Sequence, residues 1–399
     1  MSRFFGTTRY NDLRQPIGLA SLAFPKMQEY VQGMLALTPD RIGRRIKWFR
    51  EQRNLTQDEL TQSLGFNDRQ TLSAIEAGKR KLLPEELVAL TQALEVELDD
   101  LVDPFKLVGE GGFNFRVEHA EPATVEAFAE QASSWIATYR ELGRQAGIAQ
   151  PCLGQKLELT RNSSFSDAAA SAEALRAKWS LGDIPADTLE DALDRELGTL
   201  VLYVDAPEGL SGAASHLPGL QTILVNRNEA PSRRAFDLAH ELFHILTWDA
   251  MPPARIEGRE PRPTKGNRVE QLANNFAAAL LMPESVVRDL WANRGGSDLS
   301  EWLGANARSL RVSVTALQWR LVNLGLLSKA EMVDSVGNGF EQVSPKPMLF
   351  SGRFIARVYD AVESGRLSLR RAADLLGLSL NAFANVCSSY GRSLSYDSQ

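Results

Sequence analysis

Cysteine, histidine and long apolar runs are all scarce in this sequence. Its 399 residues include 2 cysteines and 4 histidines. Cys152 and Cys387 lie far apart, which excludes a disulfide-stapled secreted domain and favours two reduced thiols in a cytoplasmic protein. Because no stretch of about 18 apolar residues occurs, we expect no membrane-spanning helix. The N-terminal residues lack the sustained apolar segment of a secretory signal, which again favours the cytoplasm.

The charge is small overall but unevenly distributed. The formal net charge of -6 argues against a generic nucleic-acid coat protein. Between Arg41 and Lys81, however, 10 Lys and Arg residues accompany only 5 Asp and Glu residues. A small basic unit on an acidic body predicts contact with DNA through one module only.

A run of short amphipathic helices is predicted over residues 39–105. Thr56 and Glu59 have the spacing of a capping box, in which each side chain satisfies a backbone N–H at the start of a helix. Asp68 is placed to cap the helix that follows. Glycine and proline separate these helices, and residues 109–112 are predicted to be a linker. The pattern is typical of a small helical domain.

The next region mixes strands with helices. Residues 200–204 and 223–226 are rich in Leu, Ile and Val and are predicted strands. The Gly-, Ser- and Pro-rich segment 206–219 between them is interpreted as a connecting loop. Helices predominate from Ser232 onward. Two loops are predicted to interrupt them, at residues 252–267 and 334–348.

Two of the four histidines lie four residues apart in a predicted helix. His240 and His244 therefore project from the same helix face, and two imidazoles at this spacing can bind one Zn²⁺. Glu241 is rotated by about 100° from His240, so its carboxylate can face a water molecule rather than the metal itself. Such a site is catalytic only if it has a third protein ligand and an open fourth position.

Glu270 is the best candidate for the third ligand, because it begins the predicted helix 270–278. Asn274 lies one turn further along the same face, where its side-chain carbonyl can accept the second ring N–H of a liganding histidine. A bond of this kind fixes the tautomer and the orientation of the ring. The sequence therefore predicts a zinc site formed by the two histidines and Glu270, with Asn274 behind it.

Hydrolysis at such a site needs further groups. Zinc acidifies water and polarises a carbonyl, and Glu241 would move the proton from water to the leaving amine. Another group must stabilise the oxyanion. His216, Tyr203 and Arg233 are candidates, and the sequence does not choose among them. His216 falls in the predicted loop, which favours a structural role for it.

The residues around this motif resemble the ImmA/IrrE family of metallopeptidases. The resemblance is carried by residues 235–244 (AFDLAHELFH), 270–278 (EQLANNFAA) and 279–283 (ALLMP). It extends over roughly residues 190–327 and implies zinc ligation by the two histidines and Glu270, with Glu241 as the catalytic base. Members of the family cleave a helix-turn-helix repressor, which implies a protein substrate of that kind. Phe243 is a departure, since many relatives have glycine there.

Residues 41–102 are similar to the Xre/Cro-type helix-turn-helix domain, through the phrases 50–60 (REQRNLTQDEL) and 72–80 (LSAIEAGKR). In such a domain the second helix of the pair places its N-terminal residues on base edges in the major groove. The resemblance implies base contacts by Arg69, Gln70 and Ser73. Phosphate contacts are expected from Gln57, Lys79 and Arg80. The implied partner is a double-stranded DNA operator, bound by a homodimer.

We therefore expect a mainly α, multidomain chain. It would combine a helical helix-turn-helix domain, an α+β zincin-like peptidase domain with a small sheet, and a helical C-terminal region. The expected boundaries are 1–38 for an N-terminal extension, 39–105 for the DNA-binding domain, 106–290 for the peptidase domain, 291–333 for its helical tail and 349–399 for a C-terminal unit that resembles a second helix-turn-helix.

Three functions remain open. The first is a transcription regulator whose zinc endopeptidase cuts a regulator protein or itself, to control stress, mobile-element or toxin–antitoxin genes. The second is a non-proteolytic repressor or antitoxin whose zinc domain senses a signal or docks a partner. The third is a protease whose N-terminal domain binds a substrate repressor through contacts between like folds. A substitution of Glu241 would distinguish the first function from the second, because proteolysis requires this carboxylate and DNA binding does not.

Overall fold

The structure, a computed structural model, describes residues 37–110, 112–117, 120–148, 154–252, 256–257, 268–333 and 345–395. The chain divides into two compact units, Met1–Pro104 and Phe105–Gln399. Most of the expected N-terminal extension, and most of the loops expected at 252–267 and 334–348, lies outside the described residues.

Short helices make up the described part of the first unit. They are α1 (Pro39–Gln52), α2 (Gln57–Ser63), α3 (Arg69–Glu76), α4 (Pro84–Ala93) and α5 (Leu98–Val102). The capping box predicted for α2 is confirmed, because the Glu59 N–H donates to the Thr56 hydroxyl and the Thr56 N–H donates to the Glu59 carboxylate. Asp68 caps α3 by accepting from the Thr71 N–H. The helices enclose one apolar core, with fully buried members Ile46, Leu60, Leu72, Leu90 and Leu101.

The crossing of α1 and α3 depends on Gly43. A Cβ atom at this position would lie 2.3 Å from the backbone oxygen of Ile75 and 2.6 Å from that of Glu76. Because backbone atoms at the end of α3 cannot rotate away, a side chain would push the two helices apart. We expect Gly43→Ala to destabilise the first unit by about 1–3 kcal/mol and to lower its melting temperature in calorimetry.

Gly296→Ala is the matched control, since a Cβ atom there would have no heavy atom within 4 Å. It should leave the unfolding transitions unchanged. If Gly43→Ala also left them unchanged, the close crossing of α1 and α3 would be wrong.

The second unit is built around a mixed sheet. Its strands are β1 (Gly112–Val117), β2 (Leu200–Val204), β3 (Leu210–Leu217), β4 (Leu220–Asn226) and β5 (Ile256–Glu257), in the spatial order β2-β4-β3-β1-β5. β3 pairs antiparallel with both β4 and β1, while β2 runs parallel to β4 and β5 parallel to β1. β3 is therefore the central strand.

The loop expected at residues 206–219 is wrong, because β3 occupies most of it. The strand has the sequence LSGAASHL and is buried along nearly its whole length. Its small residues obscure the alternation that marks a strand, but they also let a helix approach the backbone closely. The strand predicted at 200–204 is confirmed, whereas the one predicted at 223–226 begins three residues earlier, at Leu220.

Helices cover both faces of the sheet. They are α6 (Pro122–Gln145), α7 (Phe165–Trp179), α8 (Leu189–Leu197), α9 (Pro231–Thr247), α10 (Arg268–Leu281), α11 (Glu284–Ala292), α12 (Leu299–Ser309), α13 (Val314–Asn323), α14 (Gly352–Glu363), α15 (Leu369–Leu376) and α16 (Leu380–Ser389). On one face α9 packs against β3 and β4, and α10 lies between α9 and α7. One apolar core joins these helices to α12 and α13.

The C-terminal helices share a second core with α6 and the opposite face of the sheet. The side chains of Gln131 and Ser134 on α6 donate to the backbone oxygen of Leu375, and the Trp135 indole N–H donates to that of Leu376. These bonds satisfy carbonyl groups at the end of α15, which would otherwise lack helical partners. The turn between α15 and α16 is thus held against α6 within the second unit.

The expected fold class is confirmed, since the chain is mainly helical with a small mixed sheet in the second unit. Among the residues that the structure describes, no helix is both long enough and apolar enough to cross a membrane.

Candidate metal centre and DNA-recognition helix

The candidate metal ligands lie on α9 and α10, which pack against each other on one face of the sheet. Pro231 begins α9, where its missing N–H costs no helical hydrogen bond. The helix is buried continuously from Asp237 to Thr247, so both histidines lie inside the unit. Glu270 is in the first turn of α10. The packing of the two helices brings this carboxylate to the histidines.

Three donor groups converge between the two helices. The Nε2 atoms of His240 and His244 lie 3.1 Å apart. Glu270 places Oε2 at 3.1 Å from the Nε2 atom of His240 and Oε1 at 3.4 Å from that of His244. The side chain of Glu270 is 16% exposed, whereas the histidines are buried. The structure thus brings the carboxylate of Glu270 to a pair of histidines, the first of which lies 30 residues earlier in the chain.

This donor set fits a zinc ion. Zinc binds imidazole nitrogen and carboxylate oxygen at about 2.0–2.2 Å in a tetrahedral arrangement, which separates neighbouring ligand atoms by about 3.3 Å. The donor–donor distances of 3.1, 3.1 and 3.4 Å lie close to that value. Three protein ligands leave one tetrahedral position for a further ligand, as in catalytic rather than structural zinc sites.

Asn274 supports the imidazole of His240 from the side opposite to the convergence point. It lies one turn from Glu270 on α10, and its Oδ1 is 3.1 Å from the Nδ1 atom of His240. With Nδ1 donating to this oxygen, the lone pair of the ring is on Nε2, which faces His244 and Glu270. The hydrogen bond therefore favours the tautomer that can bind a metal.

Glu241 lies beneath the central strand. Its side chain is fully buried, and a Cβ atom at Gly212 of β3 would lie 3.6 Å from its Oε1 atom. The same Cβ atom would also lie 3.1 Å from the backbone oxygen of Leu224. Glycine therefore lets the strand pass close to the carboxylate. The sequence gives no signal for a role of Gly212, because the segment around it is predicted to be a loop.

His216 lies on β3 rather than in the expected turn. Its ring stacks on that of Trp248, with centroids 5.5 Å apart, and Trp248 follows His244 by one helical turn. His216 and Gly212 are four residues apart on a strand, so they share the face that covers α9. Burial lowers the pKa of His216 below its usual value. The ring is therefore neutral near pH 7 and carries one N–H donor.

The other two oxyanion candidates are engaged elsewhere. The Tyr203 hydroxyl donates to the Glu190 carboxylate at 2.7 Å, and Tyr203 lies on the edge strand β2. Arg233 donates to the Ser211 hydroxyl at 3.2 Å and lies 3.5 Å from the Asp237 carboxylate. Arg233 is in the first turn of α9 itself, so His216 is the one of the three on the strand that covers this helix.

In the first unit, α3 presents its N-terminal residues to solvent. Arg69, Gln70 and Ser73 are exposed, whereas Leu72 and Ile75 on the opposite face are buried. Asp68 caps the helix immediately before Arg69, so the exposed residues begin at the first helical position. This face has the position and polarity that base contacts require.

A buried ion pair fixes α3 to α1 behind this face. The Glu76 carboxylate accepts from Arg50 at 2.6 and 3.2 Å, and this hydrogen bond raises the pKa of Arg50. Gln57 donates to the same carboxylate at 2.7 Å and accepts from Arg69 at 2.9 Å. Gln57 therefore links Arg69 to the buried ion pair, and these hydrogen bonds fix the orientation of both side chains.

The two basic residues that follow α3 differ in their surroundings. Lys79 is exposed to solvent, where a phosphate could reach it. Arg80 makes a two-pronged contact with Glu86, at 2.8 and 2.7 Å, and this hydrogen bond raises its pKa. A phosphate contact by Arg80 would therefore have to compete with Glu86, whereas one by Lys79 would not.

Comparison with known families divides the chain in the same way. Residues 194–322 match a peptidase family described as the IrrE N-terminal-like domain, and residues 46–101 match a helix-turn-helix family. The chain therefore joins an N-terminal helix-turn-helix domain to a metallopeptidase-like domain, which confirms the expected fusion. The candidate metal-ligand cluster of His240, His244 and Glu270 lies within the match to the peptidase family.

Comparisons with whole proteins add little. No curated protein matches the chain. Among solved structures, the apo form of the competence regulator ComR from Streptococcus vestibularis aligns with 90% of this chain and 100% of that one, at 9% identity and a TM-score of 0.16. A score this low does not indicate a shared fold.

Proposed function

We propose that this chain is a DNA-binding transcription regulator whose second unit is a zinc-dependent endopeptidase. Its substrate would be a regulatory protein, of which a helix-turn-helix repressor is the first candidate, or the chain itself. The genes under control would be stress, mobile-element or toxin–antitoxin genes. The observation that carries the proposal is the convergence of His240, His244 and Glu270, with Glu241 adjacent on the same helix.

The three converging residues would hold the zinc ion. His240 and His244 would bind it through Nε2 and Glu270 through its carboxylate, while Asn274 keeps the His240 ring in the required tautomer. When bound, zinc supplies Lewis acidity that lowers the pKa of water and polarises a peptide carbonyl.

Glu241 is the proposed general base. Its carboxylate would accept a proton from the attacking water and then donate it to the amine that leaves. His216 would donate its N–H to the oxygen of the peptide carbonyl as negative charge develops there. Its neutral imidazole, its place on β3 and its stacking on Trp248 support this role.

The direct test of the proposed activity is cleavage. Purified protein, reconstituted with zinc, is incubated with regulator proteins encoded near it and with itself, and fragments are mapped by mass spectrometry. We expect one of these proteins to be cut at a defined bond, with a chelator abolishing the cut. Absence of zinc-dependent cleavage in all of them would contradict the endopeptidase proposal.

A second candidate function is favoured by the burial of the site. Glu241 and both histidines are at most 1% exposed, so a peptide carbonyl reaches them only if the surroundings move. A repressor or antitoxin that uses its zinc domain to sense a signal or to dock a partner would need no such movement. This alternative predicts that Glu241→Gln leaves every cellular phenotype intact.

The first unit is proposed to bind an operator as a homodimer, through base contacts by Arg69, Gln70 and Ser73 and phosphate contacts by Gln57, Lys79 and Arg80. We expect the double variant Arg69→Ala/Gln70→Ala to lose operator affinity by on the order of 100-fold, because each side chain is placed to pair with a base edge. Fluorescence anisotropy with a duplex obtained by in vitro selection, at fixed salt, measures this loss.

Lys79→Ala is the control for that measurement. A phosphate contact carries no sequence information, so this variant should weaken binding to the selected duplex and to a scrambled duplex alike. Unchanged affinity of the double variant for the selected duplex would overturn the assignment of α3 as the recognition helix.

A further inference from the structure

The strand above Glu241 is paired with the chain's own strands on both sides. A Cβ atom at Gly212 of β3 would lie 3.6 Å from the Oε1 atom of this carboxylate. In the sheet, Gly212 is opposite Val225 of β4 on one side and opposite Arg116 of β1 on the other. An extended peptide that approaches the proposed base therefore finds both edges of β3 occupied at this point.

This pairing agrees with the burial of the candidate metal centre. Glu241 and the two histidines are at most 1% exposed, so a protein substrate reaches them only by displacing part of the structure. Extended peptides commonly bind by adding a strand to the edge of a sheet. β3 can offer such an edge above α9 only if β4 or β1 leaves.

Of these two neighbours, β1 is held less firmly. All seven residues of β4 are buried, and this strand lies between β3 and β2. β1 has six residues, and its other described neighbour, β5, consists of Ile256 and Glu257 alone. Displacement of β1 therefore breaks less of the sheet than displacement of β4.

The pairing of β1 with β3 is also irregular beside Gly212. Arg116 is opposite Gly212, but the next residue of β1 is opposite Leu210. The register thus passes over Ser211, and an irregularity of this kind locally disrupts the ladder of hydrogen bonds. The two strands are therefore least regularly paired next to the glycine that covers the proposed base.

Two contacts with α6 hold β1 in place. Phe115 is 1% exposed and belongs to the core that α6 shares with the C-terminal helices. Its ring lies 6.3 Å from that of Phe128, centroid to centroid. Glu110, just before β1, accepts from Arg140 of α6 at 2.6 and 3.3 Å. Both contacts involve α6 rather than α9, so they can be weakened without changing the metal ligands.

We propose that β1 is a displaceable strand that closes the candidate catalytic centre. In the resting chain it fills the edge of β3 that faces away from β4, and a segment of the protein substrate pairs there in extended form after β1 has left. The inference rests on the proposed endopeptidase function and adds its regulation. The rate of cleavage is then limited by the fraction of chains in which β1 is displaced.

Variants that weaken the contacts of β1 should activate the zinc-loaded full chain towards the regulator protein that it cuts. Phe115→Ala should raise the rate by on the order of tenfold, because it removes the buried ring of β1. Glu110→Gln removes the ion pair but keeps the shape of the side chain, and should raise the rate by less. Phe383→Ala removes a buried ring of the same core on α16, and should not raise it.

A disulfide between β1 and β3 makes the opposite change. Phe113 and Ser215 are directly opposite each other, and Cα atoms in such a pair lie about 4.5–5.5 Å apart, within the reach of a disulfide. Ser215 shares the strand face of Ala213, which belongs to the core away from α9. The oxidised double variant Phe113→Cys/Ser215→Cys should cut at least about tenfold more slowly than its form reduced by a phosphine. Oxidised Ser215→Cys is the control, and mass spectrometry verifies the bond.

Binding of a peptide copy of β1 tests displacement without any cleavage. The probe is a fluorescein-labelled peptide with the sequence of residues 110–118 (EGGFNFRVE). In fluorescence anisotropy it should bind Phe115→Ala at least about tenfold more tightly than it binds the oxidised double variant. A scrambled peptide of the same composition should bind neither.

The outcomes distinguish the displaceable strand from the endopeptidase. Peptide binding that the disulfide blocks, with no protein cleaved by any variant, would support the strand and contradict the endopeptidase. Zinc-dependent cleavage that is equally fast in the oxidised and reduced double variant would overturn the strand and leave the endopeptidase standing. Equal binding of the peptide to Phe115→Ala and to the oxidised double variant, or binding to neither, would overturn the strand whether or not a protein is cleaved.

Discussion

Glu241→Gln is expected to abolish cleavage while the zinc remains bound. Glutamine has the same shape as glutamate but cannot accept a proton from water, so the rate should fall by about 10²–10⁴-fold, the usual contribution of a general base. Glu241 is absent from the cluster of donor atoms formed by His240, His244 and Glu270, so zinc content should stay at the wild-type level. The rate is measured from fragment formation, and the zinc from elemental analysis of the same sample.

A second variant and a control measurement accompany this prediction. His216→Phe keeps the stacking on Trp248 but removes the N–H, and should lower kcat by about 100-fold with little change in KM. Operator binding by Glu241→Gln should equal that of the wild type, because the recognition helix is in the other unit. A Glu241→Gln variant that cuts at the wild-type rate would exclude this residue as the base.

Glu270→Ala is expected to lose the metal itself. Removing one of three protein ligands should weaken zinc affinity by on the order of 1,000-fold, since the free energy of zinc binding is shared among only a few ligands. Competition with a chromophoric chelator at fixed pH measures the dissociation constant. The fold should survive, because the Glu270 side chain is partly exposed and lies at the start of α10.

Asn274→Ala provides an intermediate case on the same helix. It leaves all three donor groups in place but removes the oxygen that orients His240 at 3.1 Å. Loss of such a supporting bond costs about 10–100-fold in metal affinity. Asn274→Ala should therefore bind zinc more weakly than the wild type but more tightly than Glu270→Ala. Equal affinities for wild type, Glu270→Ala and Asn274→Ala would mean that zinc, if bound, is held elsewhere.

The helix that carries His240 and His244 is well predicted by the sequence because helical periodicity is strict. Two histidines at a spacing of four must share a face, and an apolar stripe tells which way the helix is buried. The capping signals of the first unit were equally local, since Thr56 and Glu59 satisfy each other's backbone groups within one turn. Features that depend on a few neighbouring residues can therefore be predicted from the sequence alone.

The central strand could not be predicted in the same way. Residues 210–217 are mostly small residues such as Gly, Ala and Ser, a composition shared with loops. Their strand conformation is imposed by tertiary contact, because β3 is paired on both sides and lies against α9. The wrong loop prediction also affects the candidate site, because His216 and Gly212 both lie on this strand.

The central claim is that zinc is bound by two imidazoles and one carboxylate, and zinc X-ray absorption spectroscopy of the purified, zinc-loaded chain tests it most directly. The account predicts one zinc per chain, scattering from two histidine rings, and nitrogen or oxygen neighbours at about 2.0–2.2 Å with no sulfur. The signal of one ring should disappear in His244→Ala. A spectrum with sulfur at about 2.3 Å, or one with no imidazole scattering, would contradict the site.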